Sequence, residues 1–153
     1  MQKTWPWLLF AIALPAHACW QDAAARYGVD ARLLYAIAQQ ESGLDPRAIN
    51  RSHAARTGSV DIGLMQINSR WLPVLHRHGI GEADLLDPCT NLQVGAWILA
   101  QSFQRHGVTW EAVGAYHAGC TALRPRDCAL TRARYATAVY QRLNGVAARA
   151  PTQ

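Results

Sequence analysis

Apolar residues recur at helical spacing through most of the chain, and capping residues stand where helices should begin and end. Asp30 reads as the N-cap of a helix over 31–42, which Gly43 stops. At about 3.6 residues per turn, Leu34, Ile37, Ala38 and Glu41 of that helix share one stripe. Trp20 to Tyr27 predicts a short helix before it, with Gly28 past its end. Pro73 lets a later short helix begin only at or after Leu72, and Gly79 ends it. Asp87-Pro88 pairs an N-cap with a proline at the first helical position. It opens what reads as the longest helix, to about His106 and closed by Gly107, with Leu92, Gly95, Ala96, Leu99 and Phe103 as its buried stripe. Gly95 and Ala96 admit close neighbours, which marks this helix as central. Thr109 caps a helix from Trp110 to Ala118, and 129–143 makes the last, with Tyr135, Val139 and Leu143 inward.

The stretches between are short. Asp45-Pro46 opens a turn, followed by one helical turn over 47–50. Residues 51–59 are polar and without period, a surface loop with room for a small β excursion. Residues 60–68 are too apolar for a free loop, so Leu64 and Ile67 are expected to anchor in the core and Gln66 and Asn68 to face a cleft. Residues 124–127 read as a loop, and Trp71, Trp97 and Trp110 as core rather than sugar platforms. The sum is an all-α domain of about six or seven helices.

The chain's 153 residues suffice for one domain. Residues 1–18 read as a signal peptide: Lys3 gives a positive start, Trp7 to Leu14 an apolar run, and Ala16-His17-Ala18 a cleavage site. The domain is then expected over 19–145, with a disordered tail over 146–153, in a protein exported to the periplasm without stable membrane insertion. The apolar run is too short to span a bilayer. An uncleaved membrane anchor is the alternative, and a lipoprotein with Cys19 as its first residue a further one, but the leucine usual three residues before a lipidated cysteine is missing.

Four cysteines, Cys19, Cys89, Cys120 and Cys128, suggest two disulfides in an exported chain. Three pairings are possible. Cys120 with Cys128 is close in sequence, which leaves Cys19 with Cys89. The cysteines form no C-x-x-C and the six histidines are scattered, so no metal is expected. The formal charge is +5, carried almost wholly by arginine. That excess suits an anionic cell wall and is too diffuse for nucleic acid.

Glu41 is the position with chemical promise. It continues an apolar stripe in a helix's last turn, where the negative end of the macrodipole and partial burial both disfavour a carboxylate. A neutral glutamic acid near pH 7 is what a general acid requires. The competing reading is a helix-end glutamate turned to water.

Three segments, Gln40-Glu41-Ser42-Gly43, Gly63-Leu64-Met65-Gln66-Ile67-Asn68 and Ala115-Tyr116-His117-Ala118-Gly119, stand in an order that resembles the soluble lytic transglycosylases of the lysozyme-like superfamily. The small exported members that accompany secretion, conjugation and pilus machinery are most similar, and the likeness extends over nearly all of 19–143, including Cys89 to Gly95. The resemblance implies a lysozyme-like fold and cleavage of peptidoglycan between N-acetylmuramic acid and N-acetylglucosamine, leaving a 1,6-anhydro ring and needing no cofactor. It makes Glu41 the catalytic acid and then base. It gives Ser42 a part in orienting the sugar or the carboxyl, and sets Gln66 and Asn68 in the cleft. It has Tyr116 bond Glu41 or stack on sugar, and makes Tyr135 a late cleft tyrosine. His117 stands where the family usually has asparagine, which puts a direct sugar contact there in doubt.

The segment from Gly58 to Trp71 is also similar to the second-carboxylate segment of animal-type lysozymes, where Asp61 would be nucleophile or charge stabiliser. A hydrolytic muramidase using Glu41 and Asp61 is therefore the alternative, and a non-catalytic wall-binding assembly factor a further one. Structural readings stand beside these roles: loop closure through backbone N–H groups for Asp61, turn and cap duty for Gln66 and Asn68, and core packing for Tyr116.

Overall fold

The structure, a computed structural model, describes residues 17–121 and 123–149. The predicted signal peptide and the end of the predicted tail lie outside the described residues, apart from 17–18 and 146–149. Seven α-helices are present among the described residues: α1 His17–Tyr27, α2 Ala31–Ser42, α3 Ala54–Thr57, α4 Leu72–Leu75, α5 Pro88–His106, α6 Trp110–His117 and α7 Pro125–Arg149. Two-residue strands β1 Ile49–Asn50, β2 Asp61–Ile62 and β3 Ile67–Asn68 form one antiparallel sheet in that order. The all-α expectation with a small β excursion holds.

Caps fix the helix limits as the sequence suggested. Asp30 accepts from the Arg32 amide, Asp87 from Thr90 and Thr109 from Ala112. Gly43 closes α2 at φ 65°, its N–H returning to the helix's last carbonyls.

Five expectations fail in whole or in part. Residues 49–50 are a strand and not a helical turn, because they pair with β2. Residues 125–128 belong to α7: Pro125 starts the helix, where its missing N–H costs nothing. Running on to Arg149, α7 is the longest helix and covers part of the stretch expected to be disordered. Trp71 and Trp97 pack edge to face with centroids 5.3 Å apart, but Trp110 is 43% exposed and meets Tyr140 at the surface.

α5 is central, packed against α1, α2 and α6, while α7 packs against α2 and α6. Leu34, Ile37, Leu92, Leu99 and Val139 are fully enclosed in this core. Both disulfides join the predicted partners: Cys19 with Cys89 ties α1 to the start of α5, and Cys120 with Cys128 ties the α6–α7 loop to α7.

Strand register sorts the sheet's side chains. Ile49 pairs with Ile62 and Ile62 with Ile67; Asn50 pairs with Asp61 and Asp61 with Asn68. Since alternate residues point to opposite faces, one face is aliphatic and the other carries two asparagines around one aspartate. Ile62 and Ile67 are buried.

The β2–β3 loop is pressed onto α5. Gly63 has φ 75°, and a Cβ there would come within 2.4 Å of the Leu85 carbonyl oxygen and 2.3 Å of the Asn91 amide nitrogen. Gly95 leaves its Cβ space to Met65. Asn91, completely buried, accepts from the Met65 amide at 2.7 Å and donates to the carbonyls of Ile62 at 2.8 Å and Leu85 at 2.7 Å. Replacing Asn91 with alanine strands three backbone groups, each worth about 1–3 kcal/mol when left unpaired. Asn91→Ala should lower unfolding stability by about 3–5 kcal/mol in urea titration with disulfides intact. A loss below about 1 kcal/mol would contradict this role.

Candidate active site

Glu41 stands in the last turn of α2, where that helix meets α7. Its carboxyl is largely enclosed, and Tyr135 donates its hydroxyl to Glu41 Oε1 at 2.5 Å. Desolvation raises the Glu41 pKa to about 7; the Tyr135 hydrogen bond pulls down, and the nearby Asp61 charge pushes up. With Oε1 bonded to tyrosine, the proton of the neutral acid falls to Oε2.

Tyr135 is delivered by a close helix crossing. A Cβ on Gly114 of α6 would lie 2.6 Å from that of Arg132, so the two helices touch there. Arg132 donates to the Ala118 carbonyl at 3.0 Å and pairs with Glu111 at 2.6 Å. One turn further along each helix, His117 stacks on Tyr135 at 4.6 Å, with the rings 7° from parallel. Arg142 adds a bond from α7 to Gln40 of α2 at 2.8 Å. Burial, chiefly, raises the pKa of Tyr135 well above the phenolic range, and that of Tyr116 likewise. Both stay protonated at neutral pH, so Tyr135 remains a donor. The outer edge of His117 is exposed, yet desolvation lowers its pKa and keeps the imidazole neutral.

The remaining predicted residues gather around the same place, several with internal duties. Ser42 donates to the Leu64 carbonyl at 2.7 Å and so straps the end of α2 to the β2–β3 loop. Gln66, at φ 48°, spends its amide hydrogens on the carbonyls of Ala48 at 3.1 Å and Gly63 at 2.8 Å. Its amide oxygen takes part in neither bond. Tyr116 donates to the Met65 carbonyl at 2.8 Å, so the hydrogen bond to Glu41 is made by Tyr135 and not by Tyr116. Asn68 caps the 3-10 turn Ser69–Trp71 and donates to Asp61 Oδ1 at 2.7 Å.

Asp61 does not close its loop through backbone N–H groups. Its carboxyl is held by side chains: Asn68 on Oδ1, and on Oδ2 His53 at 2.7 Å and Asn50 at 3.5 Å. Its charge pushes the pKa values of Glu41, Tyr116 and His117 upward, in each case less than burial moves them. His53, Asn50 and Asn91 escaped sequence reasoning. Asn50 becomes visible only with the strand register, and the aperiodic loop around His53 carried no signal. A groove of about 550 Å³ between Trp110, Ala133 and Tyr140 does not include Glu41.

The fold is mainly helical, with a largely enclosed acid at the end of α2 and a three-stranded sheet. The Transglycosylase SLT domain family matches residues 18–128, and the chain belongs to that family. Invasion protein IagB of Salmonella typhimurium is 45% identical over 134 residues, spanning 85% of this chain and 79% of that protein. Protein IpgF of Shigella flexneri is 37% identical over 131 residues, 85% of this chain and 82% of its own length. A peptidoglycan-binding-like protein of Escherichia coli O157:H7 is 38% identical over 142 residues, 90% and 84% of the two chains. An inactive mutant of the lytic transglycosylase Slt from Pseudomonas aeruginosa shares the fold with TM-score 0.66 at 23% identity, over 92% of this chain and 25% of that one.

The enclosed carboxyl has a consequence for stability. In the unfolded chain Glu41 ionises in the ordinary carboxylate range, whereas in the fold it keeps its proton to about pH 7. Its contribution is therefore fully present at low pH and lost as pH rises to about 7. Glu41→Gln, neutral throughout, should gain about 3 kcal/mol on the wild type between pH 4 and pH 8. Paired denaturant titrations at pH 4 and pH 8 measure it; an equal gap at both pH values would contradict burial of the carboxyl.

Proposed function

We propose that this protein is an exported lytic transglycosylase that cleaves the β-1,4 bond between N-acetylmuramic acid and N-acetylglucosamine in peptidoglycan. The observation that carries the reading is the Glu41 carboxyl, held near pKa 7 by enclosure and fixed through Oε1 by Tyr135. Family membership and the relatives' names support the substrate class.

Glu41 donates its proton to the leaving O4 as the C1–O4 bond breaks. The carboxylate so formed takes the proton of the muramic acid C6 hydroxyl, whose oxygen bonds C1. One carboxyl therefore serves as acid and then base, no water is consumed, and a 1,6-anhydro end results. An intramolecular nucleophile of this kind can reach effective molarities of ~10⁵ M or more, well above that of water. Asp61 would face the positive charge that develops at C1. Gln66 would meet the sugar through its amide oxygen. In this account Ser42, Asn68 and Tyr116 shape the cleft through the bonds they make to the β2–β3 loop and its strands.

The second reading, a hydrolytic muramidase using Glu41 and Asp61, draws on the closeness of the Asp61 charge to Glu41. A non-catalytic wall-binding assembly factor is the third, and the tuned pKa of Glu41 weighs against it. Two disulfides, and the lack among the described residues of any helix able to cross a membrane, fit action in the periplasm. A relative named as an invasion protein fits local opening of the wall for a secretion, conjugation or pilus apparatus.

Purified protein on sacculi, with mass spectrometry of the released muropeptides, tests the reading. Anhydro ends are expected; products heavier by one water would indicate the hydrolase, and no release the binding factor. Glu41→Gln should lower turnover at least ~10³-fold with the fold retained, and Asp61→Asn by less than Glu41→Gln. Equal losses would favour the hydrolase.

A further inference from the structure

The loop that leads into β2 is built around one imidazole. His53 precedes α3, and Gly58 turns the chain back after it at φ 66°. Arg70 grips the Thr57 carbonyl at 2.5 Å, Asn68 donates to Ser59 Oγ at 3.2 Å, and Ser59 Oγ donates to Thr57 Oγ1 at 3.1 Å. These bonds hold Thr57 Oγ1 at 3.1 Å from His53 Nδ1. The opposite ring nitrogen, Nε2, is then aimed at Asp61 Oδ2 at 2.7 Å. Both side chains are about four-fifths buried, at 20% and 19% exposure. A hydroxyl can donate to Nδ1 or accept from it, so Nε2–H can donate to Asp61 in either charge state of the ring.

The clamp limits what Asp61 can do. A carboxylate offers about four lone-pair positions. His53 and Asn68 occupy one on each oxygen, and Asn50 lies at 3.5 Å on the His53 side. To attack C1, an oxygen of Asp61 would have to turn toward the sugar and strain the charge-assisted bond it accepts. To stabilise positive charge at C1 it need not move. We propose that His53 is a positioning residue that holds Asp61 as a fixed anion and withholds it as a nucleophile, so that the C6 hydroxyl closes the ring. This rests on the transglycosylase reading above.

The test compares His53→Ala and His53→Gln on sacculi, with kcat, KM and the ratio of anhydro to reducing-end products measured for each. The glutamine amide can reach the same carboxylate oxygen; alanine cannot. His53→Ala should lower kcat ~10–100-fold with KM within about twofold, since misplacement of about 1 Å can cost 10²-fold in rate. Its share of reducing-end products should rise severalfold, and His53→Gln should restore most of both. The ratio is counted per product formed, so partial unfolding does not alter it. Wild-type kcat and ratio in His53→Ala, or equal change in both variants, would overturn the positioning role alone. Reducing ends as the main product of the wild type would overturn the parent reading instead.

Discussion

A carboxyl group withdrawn from water must be neutral or matched by donors, and around Glu41 the fold supplies partial enclosure and one strong donor. The last turn of α2 carries it against α7, and Tyr135 meets it there. That meeting depends on features far from it in sequence: the missing side chain at Gly114, the Arg132 bridge to Ala118 and Glu111, and the stacking of His117 on Tyr135. Each fixes the position of α7 relative to α6, while Arg142 ties α7 to Gln40 of α2. The meeting of Glu41 and Tyr135 is thus the product of three packed helices.

The other wall of the site is the small sheet, and it depends on α5. Asn91 substitutes for the backbone partners that a two-residue strand and a tight loop cannot find among themselves. With Gly63 and Met65 seated on that helix, the register of β1, β2 and β3 is set, and Asn50, Asp61 and Asn68 line up on one face. The aspartate is then an anion surrounded by donors, facing an acid whose proton affinity its charge increases. One carboxyl is kept neutral by desolvation, and the other is held in place by side-chain hydrogen bonds.

Much of this was legible in the sequence because caps and periodicity are local. Asp30, Gly43, Asp87, Pro88 and Thr109 set helix limits within a residue or so, and the stripe through Leu34, Ile37 and Ala38 pointed Glu41 inward. Two-residue strands carry no period, so Ile49 and Asn50 read as a helical turn. Pro125 looked like part of a loop because the proximity of two cysteines masked a helix start. Long-range pairings were hidden most. Nothing local tells that Asn91 will bond loop carbonyls, that His53 will reach Asp61, or that Tyr135 rather than Tyr116 will hold Glu41. Those contacts exist only once the helices are packed.

The most direct measurement is the titration of Glu41 itself, read from its side-chain carboxyl carbon by NMR in selectively labelled protein. A midpoint near pH 7 is predicted. A midpoint near the ordinary glutamate value of about 4.3 would contradict the claim that the fold keeps this carboxyl protonated for use as an acid.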